Sequence, residues 1–276
     1  MKKTGFLSIV VPCYNVKRYV DAALDSITAQ TKAPDEVILV DDGSTDGTPD
    51  ILAKYRDLPN WQIVTTYNNG LGPARNLGRY LSRSEYVYFF DSDDLVDKNF
   101  VERMYEVVEA YDKPDLVMFS GSPFNDDGFN HTPPPVYRRT STGLFTPTDR
   151  LITEMVRQGE TMAQTSLYIS KQELWSENRL NFPAVLHEDE AMLFPLLASS
   201  KKTVVLPEVY FHRRLRPGSI MTGGVDTRHL FGVLRVLNET IEFVMREPDL
   251  VNRDISAWRR RIAHCPFGPP VVCAAL

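Results

Sequence analysis

Carboxylates crowd together at one point of this 276-residue sequence. Asp91-Ser92-Asp93-Asp94 follows directly on the apolar run Tyr86–Phe90. Neighbouring carboxylates repel one another, and near a buried strand end they need a cation or hydrogen bonds to compensate. Mg²⁺ or Mn²⁺ takes one or two carboxylates and fills its other positions with water and phosphate oxygens. The pattern predicts a metal site that also binds a diphosphate; the alternative is that one Asp caps the next helix and the others face water.

Two glycine-containing turns carry groups suited to a nucleotide. In the segment Asp41–Thr48, glycines permit close ligand approach, and an Asp can hydrogen-bond a ribose or a base edge. The alternative there is a turn that caps a helix. In Asn69–Asn76, glycines precede Arg75, which could hold a phosphate or pair with an acidic loop. Neither segment is a dinucleotide-binding GxGxxG or a P-loop, which argues against dehydrogenases and NTPases of those types.

The second half adds an acidic and a basic group. His187-Glu188-Asp189-Glu190 lies between apolar stretches and lacks the second His of a zinc-protease helix. One of its carboxylates could serve as a general base, and the alternative is a charged helix start favoured by the helix dipole. The segment His212–Ser219 contains three arginines, which match phosphate geometry and neutralise a leaving diphosphate. The alternative for it is a solvated basic loop.

The elements that position these groups alternate between strands and helices over residues 1–120. Continuously apolar strands separated by helices imply a parallel sheet covered on both faces, with ligands beyond the carboxyl ends of the strands. The polar clusters do follow the strands. The predicted strands are Leu7–Val11, Glu36–Val40, Trp61–Thr66, Tyr86–Phe90 and Asp115–Ser120, and the predicted helices are Val16–Gln30, a helix capped by Asp46 and continuing through Tyr55, Gly72–Leu81 and Asn99–Tyr111.

Beyond residue 120 the pattern is less regular. The polar, proline-containing segment Gly121–Gly143 predicts a long and mobile surface excursion. Regular elements return as helices Pro147–Gln158 and Asp189–Ser199, strand Thr203–Leu206 and helix Arg228–Met245. The last helix carries a stripe that predicts core packing: Leu230, Val233, Leu234, Leu237, Ile241 and Val244.

Composition limits the partners and the compartment. The net charge is −5 and the basic residues are scattered, so a nucleic-acid partner is not expected. Cys13, Cys265 and Cys273 are too few and too uneven for a disulfide framework or a zinc site, and Cys13 is predicted to be a buried free thiol. With no visible signal peptide or membrane span, we expect a cytoplasmic protein; peripheral contact with the inner face of the membrane stays open.

Together the motifs resemble the inverting family 2 glycosyltransferases with the GT-A fold, particularly bacterial enzymes of surface-polysaccharide synthesis. The resemblance covers about Leu7 to Ile220. It implies an α/β fold with a Rossmann-like, mostly parallel central sheet flanked by helices and a C-terminal acceptor-side helical region. Residues 1–120 would bind the nucleotide sugar, 121–222 would form the acceptor and catalytic half, and 223–276 a helical extension. The motifs that carry it are Ser8–Asn15, Val40–Thr48, Gly72–Asn76, Phe90–Asp94 and Glu188-Asp189.

The resemblance also implies roles for single residues. Tyr14 would stack on the nucleobase, and Asp93 would coordinate Mn²⁺ or Mg²⁺ with Asp91 and Asp94 in the same metal set. Asp189 would be the catalytic base, with Glu188 as the alternative. The complete set implied for nucleotide-sugar binding is Pro12, Tyr14, Asn15, Asp41, Asp42, Arg75, Asp91, Ser92, Arg214, Arg216 and Ser219.

The predicted reaction is transfer of a sugar, with inversion, from a nucleotide diphosphate sugar to a hydroxyl of a saccharide or lipid-linked saccharide. UDP is the family's commonest donor nucleotide. One alternative is a sugar-nucleotide pyrophosphorylase, which needs a Gly-rich, Arg-bearing loop where Pro12–Asn15 stands. The other alternative is a nucleotide-sugar-binding module without catalysis.

Overall fold

The computed structural model describes residues 4–129, 137–146, 148–218 and 227–247. Strands and helices alternate through the first half, as the apolar pattern predicts. The strands are β1 (Gly5–Cys13), β2 (Glu36–Asp41), β3 (Trp61–Thr65), β4 (Ser84–Phe89), β5 (Leu95–Val96), β6 (Leu116–Asn125), β7 (Gly143–Phe145), β8 (Tyr168–Lys171) and β9 (Thr203–Leu215). The helices are α1 (Val20–Thr28), α2 (Thr48–Leu52), α3 (Leu71–Leu81), α4 (Phe100–Ala110), α5 (Asp149–Gln158), α6 (Gln172–Glu177), α7 (Glu188–Ser199) and α8 (Thr227–Arg246).

The described strands form one mixed sheet in the order β3-β2-β1-β4-β8-β6-β9-β5, with β7 paired to β9. The first four strands of that order are parallel. The short strand β8 runs antiparallel between β4 and β6, whereas β6 and β9 are parallel to each other. This mostly parallel sheet, flanked by helices, confirms the predicted fold class.

The central parallel strands β1, β2 and β4 send alternate side chains into two separate cores. In β1, Ile9 packs into one core and Val10 into the other. Because successive side chains of a strand point to opposite faces, a strand buried on both faces must be apolar throughout. Helix α3 lies close to the sheet at Gly78, where a Cβ would stand 2.2 Å from a methyl carbon of Val10. The two cores hold the strand ends, and the polar loops that follow them, in fixed positions.

Two predicted boundaries in the second half are wrong. Strand β6 continues to Asn125, so its last residues lie in the segment predicted as a surface excursion. Tyr137, Arg139 and Ser141 of that segment are buried, and residues 130–136 lie outside the described residues. Strand β9 runs to Leu215, where it pairs with Asn125, instead of ending at residue 206. The long β6–β9 pairing thus places part of the basic segment on a strand.

The prediction for the face of α8 is only partly correct, because Val233, Leu237 and Val244 of the predicted stripe are half-buried and Val244 packs against one of the cores. Leu230, Leu234 and Ile241 of the predicted core stripe are exposed. The buried face of this helix carries small and polar residues together with one aromatic ring: His229, Gly232, Thr240 and Phe243. The fully buried positions of α8 therefore do not coincide with the most apolar side of the helix.

Two smaller expectations concern single elements. The first helix begins at Val20, four residues later than predicted, because the chain from Val16 to Tyr19 forms turns. Cys13 is a buried free thiol, as predicted, while Cys265 and Cys273 lie outside the described residues.

In the described parts of the chain, no helix combines the length and the apolar character that crossing a membrane requires.

Candidate active site

The loops that follow β1 and β2 are tied together by side chains predicted to bind a nucleotide. Asn15, in a left-handed backbone conformation, accepts the Thr45 N–H at 2.8 Å through Oδ1. Its own N–H donates to the Ser44 hydroxyl at 3.1 Å. Asp41 is buried and accepts the Ser44 N–H at 3.0 Å. Asn15 and Asp41 thus shape the loop, while Tyr14 stands 46% exposed above it.

The loops that follow β2 and β3 are joined by Asp42. This buried carboxylate accepts the Asn69 N–H at 3.0 Å and the Gly70 N–H at 2.8 Å, one on each oxygen. The resemblance assigns Asp42 to the nucleobase, whereas here both of its oxygens hold the Asn69–Gly70 turn. Asp42 therefore shapes the wall of the site through the backbone of the next loop.

Pro12 and Ser92 lie beneath these loops. Pro12 is buried in β1, in register with Val40 of β2. Ser92 is buried, and its side chain hydrogen-bonds the Cys13 thiol. Burial raises the pKa of Cys13 well above its usual range, so this thiol stays protonated. Both residues are buried, so neither side chain is exposed at the surface of the site.

A buried arginine connects the two halves of the site. Arg75 on α3 is only 3% exposed and donates from Nη2 to Oδ1 of Asp91 at 2.7 Å and from Nη1 to Glu188. Its guanidinium lies 5.5 Å from the ring centre of Phe182. Although burial disfavours the charge, Asp91 and Glu188 raise the pKa of Arg75. This bridge fixes the end of β4 against the first turn of α7.

The two candidate bases differ in their surroundings. Glu188 is buried and paired with Arg75, and burial raises its pKa to about 7, with Arg75 opposing the shift and Asp189 adding to it. Asp189 is partly exposed, and its Oδ1 accepts the Glu190 N–H at 2.9 Å. Glu188 is thus committed to an interior ion pair, while Asp189 is the acid that solvent can reach.

The acidic turn after β4 is bound to the end of β9. Asp94, 4% exposed, accepts the Arg214 N–H at 2.7 Å. Arg214 donates through Nε to the Asp93 carbonyl at 2.9 Å, and Arg216 donates through Nε to the Asp93 carboxylate at 2.7 Å. Burial, with the charges of Asp93 and Asp91, raises the pKa of Asp94 well above its usual range. Asp94 therefore faces the strand and not the open side of the turn.

The comparisons with known proteins decide the family. Residues 8–181 match the family model described as Glycosyl transferase family 2. The chain belongs to this family. Membership of this family agrees with the resemblance that the sequence motifs carry.

Several bacterial proteins are relatives of this family 2 chain. It is 28% identical over 268 residues to the glycosyltransferase GlyG of Streptococcus pneumoniae serotype 4, covering 94% of this chain and 85% of GlyG. It is 27% identical over 268 residues to TarS of Staphylococcus aureus (strain Mu50), a poly(ribitol-phosphate) beta-N-acetylglucosaminyltransferase. The chain spans 44% of the length of TarS and 37% of the length of the Bacillus subtilis protein EpsH, to which it is 36% identical over 128 residues.

A solved structure has the same fold. The crystal structure of S. aureus TarS 1-349 in complex with UDP-GlcNAc superimposes with a TM-score of 0.73 at 23% identity, covering 94% of this chain and 73% of that one. At this level of identity the likeness concerns the fold alone, and it supports the GT-A fold for this chain.

Two of the three carboxylates in the implied metal set are partly exposed, and the third is buried. Within the described ranges, no three His, Cys, Asp or Glu side chains are grouped as a metal site. Asp91 and Asp93 are 30% and 22% exposed, and the ion pairs with Arg75 and Arg216 use one carboxylate oxygen of each. Mg²⁺ uses only one or two protein carboxylates when phosphates supply other ligands. Asp91 and Asp93 fit that requirement, and Asp94, turned towards Arg214, does not.

The arginines that follow are held by residues that the sequence motifs do not reveal. The guanidinium carbons of Arg214 and Arg216 lie 5.3 and 4.9 Å from the ring centre of Tyr19. Asp126 forms an ion pair with Arg214, with 3.2 Å between Oδ1 and Nη1. Asp126 belongs to the segment predicted as a surface excursion, and only the β6–β9 pairing brings it here. The predicted ligand Ser219 lies outside the described residues.

Proposed function

We propose that this family 2 glycosyltransferase moves a sugar from a UDP-sugar to a hydroxyl group of a bacterial surface glycan, with inversion at the anomeric carbon. The donor proposal is supported by the fold shared with a TarS structure that contains UDP-GlcNAc. The acceptor proposal is supported by the relationship to TarS, which acts on poly(ribitol-phosphate). A saccharide or lipid-linked saccharide hydroxyl is the corresponding acceptor here. In this proposal residues 1–120 bind the donor and residues 121–222 the acceptor.

The observation that carries the proposal is the ion-paired chain Asp91–Arg75–Glu188. It places the carboxylate-rich end of β4 beside the first turn of α7. Asp189 directly follows Glu188 in this turn and is partly exposed, so that a bound acceptor could reach it. A partly exposed carboxylate beside a diphosphate-binding turn has the position that a general base needs.

In the proposed mechanism, Asp189 accepts the proton of the acceptor hydroxyl as that oxygen attacks the anomeric carbon. Arg75 and Glu188 hold the first turn of α7 in place, and Arg214 and Arg216 stabilise the negative charge of the departing diphosphate. Asp93, with Asp91, would hold Mn²⁺ or Mg²⁺, which neutralises diphosphate charge when bound.

The proposal is tested by incubating the purified chain with UDP-, GDP- and TDP-sugars and measuring the release of nucleoside diphosphate with Mn²⁺ and with EDTA. We expect release from a UDP-sugar, increased by a saccharide acceptor and lowered by EDTA. Formation of nucleoside triphosphate from pyrophosphate would instead indicate a pyrophosphorylase. Donor binding without turnover on any acceptor tested would indicate a binding module and contradict the proposal.

A further inference from the structure

Helix α8 lies against the segment that leads into the proposed base. Nδ1 of the buried His229 shares a 3.0 Å hydrogen bond with Nε2 of His187. The two ring centroids are 5.2 Å apart and the ring planes are inclined by 47°. One turn further along α8, a Cβ at Gly232 would stand 2.4 Å from the carbonyl oxygen of Leu186. Successive turns of α8 thus contact successive residues of the loop before α7.

The contacted loop has an unusual backbone. His187 has φ 65°, in the left-handed region that side chains other than glycine rarely adopt. Its carbonyl accepts the Glu190 N–H at 3.1 Å, so this residue begins the first turn of α7. A strained conformation of this kind persists only where surrounding contacts hold it. Any change in the His187 backbone would redirect Asp189, two residues later.

Further contacts hold α8 in this position. Phe243 is buried and packs edge-on against Phe194 of α7, with ring centroids 5.9 Å apart. Burial lowers the pKa of His187, with Asp189 opposing and His229 assisting the shift. The neutral imidazole is favoured as a result, and a neutral ring can pair with a second histidine without charge repulsion.

We propose that His229 and Gly232 are positioning residues for the catalytic base, because they fix the backbone of His187 and through it the direction of Asp189. This inference rests on the proposed function, in which Asp189 is the base. A displacement of about 1 Å at a reacting group can lower turnover about a hundredfold. The donor-side loops follow β1, β2, β3 and β4, whereas His229 and Gly232 contact the segment before α7, so donor affinity is expected to stay unchanged.

Two variants test the two contacts separately. His229→Phe keeps an aromatic ring but removes the hydrogen bond, and Gly232→Ala adds the Cβ that collides with the loop. We expect each to lower kcat at least about tenfold while the Kd for UDP changes less than about twofold. His229→Asn, which retains hydrogen-bonding groups, is expected to recover most of kcat. Phe231→Ala, on the exposed side of the same helix, is the control and should behave as the wild type.

Hydrogen exchange gives a second readout that needs no turnover. Amides of residues 184–192 are expected to exchange at least about tenfold faster in His229→Phe and Gly232→Ala than in Phe231→Ala. If the wild type transfers no sugar, the proposed function fails and the exchange rates alone decide whether α8 fixes this loop. If Gly232→Ala does not fold, His229→Phe decides. Folded variants with wild-type kcat and exchange would overturn the inference, and so would an equal loss of UDP affinity and turnover.

Discussion

Arg75 and Glu188 form an ion pair in the interior of the protein although 113 positions separate them along the chain. The pair joins α3, on the donor side, to the first turn of α7, on the side of the proposed base. A buried ion pair gains little net stability over an apolar pair, but removing one partner leaves the other charge uncompensated. Its main consequence is therefore geometric, since it sets where Asp189 stands relative to the acidic turn.

Glu188 is expected to make stability depend on pH. Its pKa is raised to about 7 in the folded protein, mainly by burial, against about 4.3 for an unfolded glutamate. Between these values the folded state binds the extra proton, so the free energy of unfolding falls as pH rises from about 4 to about 7 and is then constant. Glu188→Gln cannot bind this proton, so position 188 contributes no pH dependence to the stability of the variant. Urea unfolding of both proteins across this range should show wild type losing stability relative to Glu188→Gln; a pH-independent difference would contradict the assignment.

Asp189→Asn is expected to separate catalysis from binding. The amide keeps the size of the side chain and its contact with the Glu190 N–H, but it cannot take a proton. Turnover should fall at least about a hundredfold, whereas the Kd for the UDP-sugar should stay close to that of the wild type. Steady-state kinetics and calorimetric donor binding measure the two effects. Full activity in Asp189→Asn would exclude this residue as the base.

The sequence predicts the parallel half of the sheet well because its signals are local. Continuous apolar runs give β1 to β4, and the polar turns after them coincide with the strand ends. The insertion of β8 between β4 and β6 could not be predicted, since Tyr168–Lys171 has only four residues and its pairing depends on distant strands. For the same reason the sequence does not show that the first part of the basic segment, as far as Leu215, belongs to strand β9.

Local pattern also misleads where a tertiary contact selects the buried face. In α8 three of the six residues of the predicted apolar stripe are exposed, whereas Gly232 is buried because only a residue without a side chain permits the approach to Leu186. Within the site, the motifs identify Asp91, Arg75 and Glu188 as important residues. The ion pairs that join these three residues depend on the packing of α3 against the start of α7, and the sequence alone does not predict them.

Asp93 and Asp94 are expected to respond differently to the same substitution. Asp94 is buried, its pKa is raised, and it accepts a backbone N–H from Arg214, a contact that an asparagine can also make. Asp93→Asn should weaken Mn²⁺ binding in the presence of UDP at least about tenfold, because it removes a charged ligand. Asp94→Asn should leave Mn²⁺ affinity nearly unchanged. Titration of Mn²⁺ by electron paramagnetic resonance distinguishes the two, and equal losses would place Asp94 in the metal site.

Tyr14 is expected to supply stacking energy for the nucleobase. It is exposed at 46%, directly after β1, and the loops fixed by Asn15 and Asp42 surround the end of that strand. Stacking of a base on an aromatic side chain contributes about 1–3 kcal/mol, so Tyr14→Ala should raise the Kd for UDP by about 5- to 150-fold. Tyr14→Phe keeps the ring and should bind nearly as well as the wild type. Tyr80→Ala removes an exposed tyrosine from α3 and serves as the matched control; if it weakens UDP binding as much as Tyr14→Ala, stacking at Tyr14 is not the cause.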